Sequence, residues 1–91
     1  MKIQFTFTSQ LAISAGTSSS EVTIENETRL VDLAKKLSES YDSKFSEILF
    51  NDDGFSSSIM VVIDGNQVHD KNAIVLNADT DVMFISPMAG G

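Results

Sequence analysis

Cysteine is absent from the 91 residues. Its absence excludes disulfide staples, a thiolate nucleophile and any cysteine-ligated zinc or iron–sulfur centre. Sulfur chemistry, if there is any, must use sulfur delivered from outside. Basic residues are also scarce, six Lys and Arg against thirteen Asp and Glu, for a formal net charge of −7. Phosphate recognition relies on clustered Lys and Arg, and the basic residues here, scattered from Lys2 to Lys71, form no cluster. Nucleic acid and anionic lipid are therefore not expected as direct partners, whereas an acidic surface favours encounter with a basic protein. No apolar run approaches the roughly 18 residues of a membrane-spanning helix. The opening Met1-Lys2-Ile3-Gln4-Phe5 alternates where a secretory signal would carry an apolar run of about 7–15 residues. The expected location is the cytoplasm, with no membrane partner.

Other chemistry is thin as well. His69 is the single histidine; with no cysteine and no second histidine it has neither a metal partner nor a nucleophile to activate, and it reads as a surface residue. Asp52-Asp53-Gly54 lacks the alternating oxygen ligands and later glutamate of a calcium loop and reads as a turn. Lys35 and Lys36 belong to the solvated face of a helix. The serine runs at 18–20 and 56–58 have no base partner and read as loop. No metal or bound cofactor is expected, and no catalytic constellation stands out.

What is present is pattern. Ninety-one residues at 42% hydrophobic and 21% charged make one domain with a thin core. From Lys2 to Thr8 polar and apolar residues alternate, which predicts a half-buried strand with Ile3, Phe5 and Phe7 inward. Glu21 to Glu25 alternates again, with Val22 and Ile24 inward, so the two segments suggest a hairpin. Ser9 to Ser20 between them, with Gly16 and the cluster Thr17-Ser18-Ser19-Ser20, reads as a long turn into which Leu11, Ala12 and Ile13 could tuck. Thr28 is the expected N-cap of the one convincing helix. Leu30, Val31, Leu33, Ala34, Leu37 and Tyr41 follow at helical spacing over about 14 residues, or about 21 Å.

Ser43 to Phe50 fits either a helical turn or a strand, with a short strand near Ile48-Phe50 preferred. Asn51-Asp52-Asp53-Gly54 is a turn, and Ile59 to Ile63 is a continuous apolar strand. Asp64-Gly65 is a two-residue hairpin loop with Asn66-Gln67-Val68 returning. Ala73 to Asp81 is mostly loop, with Ile74 and Leu76 as core plugs, and Val82 to Ile85 is the last strand. The order predicts an α+β fold, a mixed sheet of four to five strands with one main helix packed on one face. That helix would form the whole second layer, its Leu30, Leu33, Ala34 and Leu37 meeting Ile3, Phe5, Val22, Val61 and Phe84.

Two features near the C-terminal end point to function. In the last strand Val82 and Phe84 face one way and Met83 and Ile85 the other, so both faces are hydrophobic although one helix covers only one. Either the segments 9–20 and 70–80 fold over the second face, or part of the set Met60, Val62, Met83, Ile85 and Met88 is exposed as a methionine-rich docking surface. The second feature is the ending Pro87-Met88-Ala89-Gly90-Gly91. Pro87 stops the strand. Gly90 and Gly91 would leave the carboxylate bare of side chains, able to thread a narrow channel. Five extended residues reach about 17 Å. Two glycines also suit a frayed terminus, but their place directly after a strand and a proline favours a presented end. The expected division is a domain over 1–86 and an extended, flexible tail over 87–91.

The hairpin, the helix led by Thr28 and the closing run Leu76, Asp81-Val82, Pro87, Gly90-Gly91 resemble the ubiquitin-like, β-grasp sulfur carriers. These comprise the small subunit of molybdopterin synthase, the thiamine sulfur carrier and the archaeal small modifier proteins. The family usually has Gly-Asp where this chain has Thr80-Asp81, and often Pro-Pro where it has Ser86-Pro87. The Asn51-Asp52-Asp53-Gly54 turn looks more like the archaeal modifiers.

The resemblance implies a protein that is a substrate, not an enzyme. A partner E1-like adenylyltransferase would use ATP to adenylate the Gly91 carboxylate, and a sulfurtransferase would supply persulfide sulfur to give a thiocarboxylate. The acceptor implied first is molybdopterin biosynthesis, with the synthase large subunit as partner. Attack on the same adenylate by a lysine of a target protein would instead make the chain a covalent modifier. By family position Ile85 and Met88 would dock in partner pockets, while Gly90, which follows Ala89 in the tail, would lie in the channel. A β-grasp interaction module with an incidental Gly-Gly is the remaining alternative.

Overall fold

In a computed structural model, which describes residues 1–86, the alternating opening segment forms strand β1 (Lys2–Phe7) with Ile3, Phe5 and Phe7 buried. The chain then turns into a short helix, α1 (Ser9–Ala15), and returns as β2 (Ser19–Thr23), antiparallel to β1. The expected long turn is therefore mostly helix. Its end is set by Gly16 at φ 73°, a left-handed cap that suits glycine. Helical spacing buries Leu11 and turns Ile13 outward, 73% exposed. Leu11 tucks in as expected; Ile13 does not.

Thr28–Arg29 forms β3, and the main helix is α2 (Leu30–Ser38). Thr28 is not its N-cap. Its backbone is extended and paired with Leu76, so the cap position moves to Arg29, and the Thr28 hydroxyl donates to Asn26 O at 2.8 Å. The helix is also shorter than predicted, nine residues rather than about 14. Three successive i→i−3 bonds, at Glu39, Ser40 and Tyr41, tighten the chain as it leaves. They carry Tyr41 to an edge-on contact with Phe7, ring centres 5.9 Å apart.

Ser43–Leu49 is a third helix, α3, and not the preferred strand. Asp42 caps it, accepting from Lys44 N–H at 3.0 Å. Phe45 and Leu49, four apart, are its buried residues. Only Phe50 of the expected strand is extended: β4 (Phe50–Asn51) pairs with β5 (Gly54–Phe55) across the predicted turn.

The remaining strands are β6 (Met60–Ile63), β7 (Asn66–Val68), β8 (Val75–Leu76) and β9 (Thr80–Ile85), with a 3₁₀ turn at Lys71–Ala73. Asp64 and Gly65 both have positive φ, as the β6–β7 hairpin requires. Lys71 spans the turn, its ammonium donating to Ser56 O and Ile59 O at 2.7 and 2.6 Å. Ile74 is half-buried and Leu76 buried, as expected of core plugs.

The main sheet runs β2-β1-β9-β6-β7, with β9 parallel to β1 and antiparallel to β6. It is a mixed five-stranded sheet in an α+β fold. Three helices rather than one supply the second layer, because Leu11 of α1 and Phe45 and Leu49 of α3 join Leu30, Val31, Leu33, Ala34 and Leu37 in the core. Val22 is only half-buried at its margin. Phe84 lies at the centre, within 5.7 Å of Phe5, 6.5 Å of Phe7 and 5.6 Å of Phe55 between ring centres. No helix among the described residues is long and apolar enough to cross a membrane.

Candidate functional site

Strand β9 is the middle strand of five, so the chain beyond it starts from the centre of the sheet rather than from an edge. Ladder pairing with β1 ends at Phe7 and Phe84. Side chains continue the attachment. Ser86 is only 4% exposed; its N–H donates to Thr8 Oγ1 at 3.2 Å and its hydroxyl to Thr8 O at 2.7 Å. Thr8 Oγ1 in turn donates to Phe84 O at 3.4 Å, and Leu11 N–H approaches Ser86 Oγ at 3.5 Å. Sequence reasoning passed over Thr8 and Ser86. The available signal was a lone serine held between the last strand and a proline, next to a threonine ending the first strand.

The second element is the open face of the sheet. Residues opposite the core side of β9 and β6 meet in register: Ile85 beside Met60, Met83 beside Val62, and Met83 beside Thr6 on the other flank. Met60 is 40% and Met83 36% exposed, while Val62 and Ile85 are half-buried. The four form a contiguous apolar strip that ends next to Ser86. Neither candidate cover lies over it. Segment 9–15 folds as α1 against α3, and Leu76 of β8 enters the core while its strand pairs with β3 at the start of α2. At the other end of β9 the surface turns acidic. Asp81 N–H donates to Asp64 Oδ1 at 2.9 Å and Lys2 N–H to Asp79 Oδ1 at 2.8 Å, with Glu21 3.9 Å from the Lys2 ammonium. The strip is thus polarised, apolar toward the C-terminal end of the strand and acidic away from it.

Met88, Ala89, Gly90 and Gly91, and the tail predicted over 87–91, lie outside the described residues. His69, Asp52, Asp53, Lys35 and Lys36 are all exposed, in keeping with their reading as surface positions. No group of three or more metal-ligating side chains occurs among the described residues.

No family model and no curated protein sequence matches the chain. Solved structures do. SAMP1 from Haloferax volcanii superposes with a TM-score of 0.81 at 20% identity, over 100% of both chains. A putative molybdopterin converting factor, subunit 1, from Pyrococcus furiosus gives 0.72 at 18% identity, over 97% of this chain and 99% of that one. Urm1 from Sulfolobus solfataricus gives 0.63 at 18%, over 92% and 99%. The fold is the ubiquitin-like β-grasp. At such identities the likeness is one of fold, and it agrees with the architecture to which the closing run pointed. Within this β-grasp domain Ser86 stands where the resemblance expects a proline, and it makes two donor contacts that a proline could not.

Proposed function

We propose that the protein is a ubiquitin-like carrier whose Gly91 carboxylate is activated by an E1-like adenylating enzyme and converted to a thiocarboxylate, acting in the cytoplasm and most directly in molybdopterin biosynthesis. The observation that carries the reading is the placement of β9. The central strand delivers the chain to Ser86 beside an exposed apolar strip, so one partner surface could hold the strip while its active site receives the end of the chain. In the reaction the carboxylate attacks the α-phosphorus of ATP, releasing pyrophosphate and leaving an acyl-adenylate. Persulfide sulfur from a sulfurtransferase attacks that carbonyl and expels AMP. A thiol then reduces the resulting acyl disulfide to the thiocarboxylate. The folded domain contributes recognition and positioning; the bond-making groups belong to the partners and to Gly91.

Conjugation to lysines is the second reading, and structural neighbours that include the small archaeal modifier protein 1 of Haloferax volcanii as well as the converting-factor subunit are equally consistent with it. Both readings share the adenylate and diverge at the nucleophile. Incubation with the adenylating enzyme, ATP and a persulfide donor should raise the intact mass by the difference between sulfur and oxygen. Immunoblotting of the tagged protein in its own cells should give a single band for a carrier and a ladder for a modifier. A protein that shows neither the mass increase nor the ladder, and works equally well without Gly90 and Gly91, is an interaction module instead.

A further inference from the structure

Beyond the end of the β1–β9 ladder, the hydroxyls of Thr8 and Ser86 bind each other's strands so that every proton has a use. The Thr8 hydroxyl donates to Phe84 O and accepts from Ser86 N–H; the Ser86 hydroxyl donates to Thr8 O and lies near Leu11 N–H. The residue after Thr8 is also unusual. Ser9 has φ 49°, one of two positive values at non-glycine positions among the described residues. Such a backbone is strained at a residue that carries a side chain and persists only where its surroundings over-determine it. Here the bend ends β1 at the point where both the carbonyl and the hydroxyl of Thr8 engage Ser86, and it starts α1, whose Leu11 is anchored in the core.

We propose that Thr8 and Ser86 form a clasp that fixes where and in which direction the chain leaves the sheet, and that they are positioning residues for the reaction at Gly91. The inference rests on the reading of Gly91 as the reacting end. A terminus of two glycines offers a partner no side chain by which to orient it, so orientation must come partly from the root. With the clasp closed, the described chain is held as far as Ser86, five residues before Gly91; with it open, the last residue held by the sheet is Ile85, paired with Met60 and six before Gly91. Each added residue of freedom multiplies the conformations from which the carboxylate must find ATP.

Thr8→Val tests this, since it preserves shape and removes the hydroxyl that serves both Phe84 and Ser86; Thr8→Ser retains that hydroxyl. Amide exchange in the full chain reads the clasp directly. The Ser86 amide should exchange about tenfold faster in Thr8→Val and near the wild-type rate in Thr8→Ser, with Val82 to Phe84 unchanged in both. ATP–pyrophosphate exchange with the E1-like adenylating enzyme of the same organism reads the consequence. Thr8→Val should lower kcat about tenfold at unchanged KM, and Thr8→Ser should restore it. Faster amide exchange with unaltered kcat overturns the positioning role, and unaltered amide exchange overturns the clasp. Wild-type protein that supports no pyrophosphate exchange overturns the reading of Gly91, and the positioning role with it, whatever the Ser86 amide does.

Discussion

The two faces of β9 differ by one residue of register and by almost everything else. Val82 and Phe84 point into a core closed by three helices and are 1% and 0% exposed. Met83 and Ile85, between and beyond them, point to a face that no described element covers. Both faces are apolar at the same strand, so hydrophobicity alone does not say which is core. The helices decide, and an apolar strip left outside them has a free-energy reason to acquire a partner. The covered face holds the domain together, and the open face leads to Ser86.

The contrast can be broken most forcefully at Phe84. Phe84→Ala should cost about 3–5 kcal/mol in chemical denaturation, because the ring is fully enclosed among Phe5, Phe7 and Phe55. A loss no greater than that of a surface substitution would mean that the assigned core face is wrong. Ile85→Asp probes the other side with a smaller effect on stability. Being half-buried, Ile85 should give a folded variant weakened by about 1–3 kcal/mol. In titration calorimetry the same variant should bind the adenylating enzyme at least about tenfold more weakly. Unfolding of this variant would return Ile85 to the core and invert the proposed docking face. The smallest effects belong to Met83→Ala and Ile13→Ser, both at exposed positions, which should leave the thermal midpoint within about 0.5 kcal/mol equivalent of wild type. If Met83→Ala weakens the enzyme complex and Ile13→Ser does not, the docking surface is confined to the open sheet face.

How far the sequence could be read depended on the length of each pattern. Strict alternation from Lys2 to Thr8 and the apolar runs at 59–63 and 82–85 gave strands that the structure contains, because a strand's period of two repeats within a few residues. Segment 9–15 reads as a turn and segment 43–49 stays open between helical turn and strand, because seven residues cover scarcely two helical turns. Isolated helices of that length are unstable, and these exist because Leu11, Phe45 and Leu49 are buried. Asp42 and Ser43 carried a capping signal that could have tipped the balance for α3. Thr28 misled in the opposite sense. Its side chain suits an N-cap, but its backbone is engaged by Leu76, 48 positions away, and no local rule anticipates that pairing.

For the candidate site the division is similar. Met60, Val62, Met83 and Ile85 were legible as an apolar surplus because alternation assigns them to the second face of their strands. That no described element covers the face was not legible, since it depended on where α1 and β8 went. The Thr8–Ser86 clasp joins residues 78 apart through two hydroxyls of no local distinction. What the sequence by itself determined was the five strands of the main sheet and the two-sided hydrophobicity of the last one, both properties of neighbouring residues and their periods. Only the tertiary structure decided which face of the sheet was buried and what held the chain at Ser86, because both follow from contacts between segments far apart in the chain.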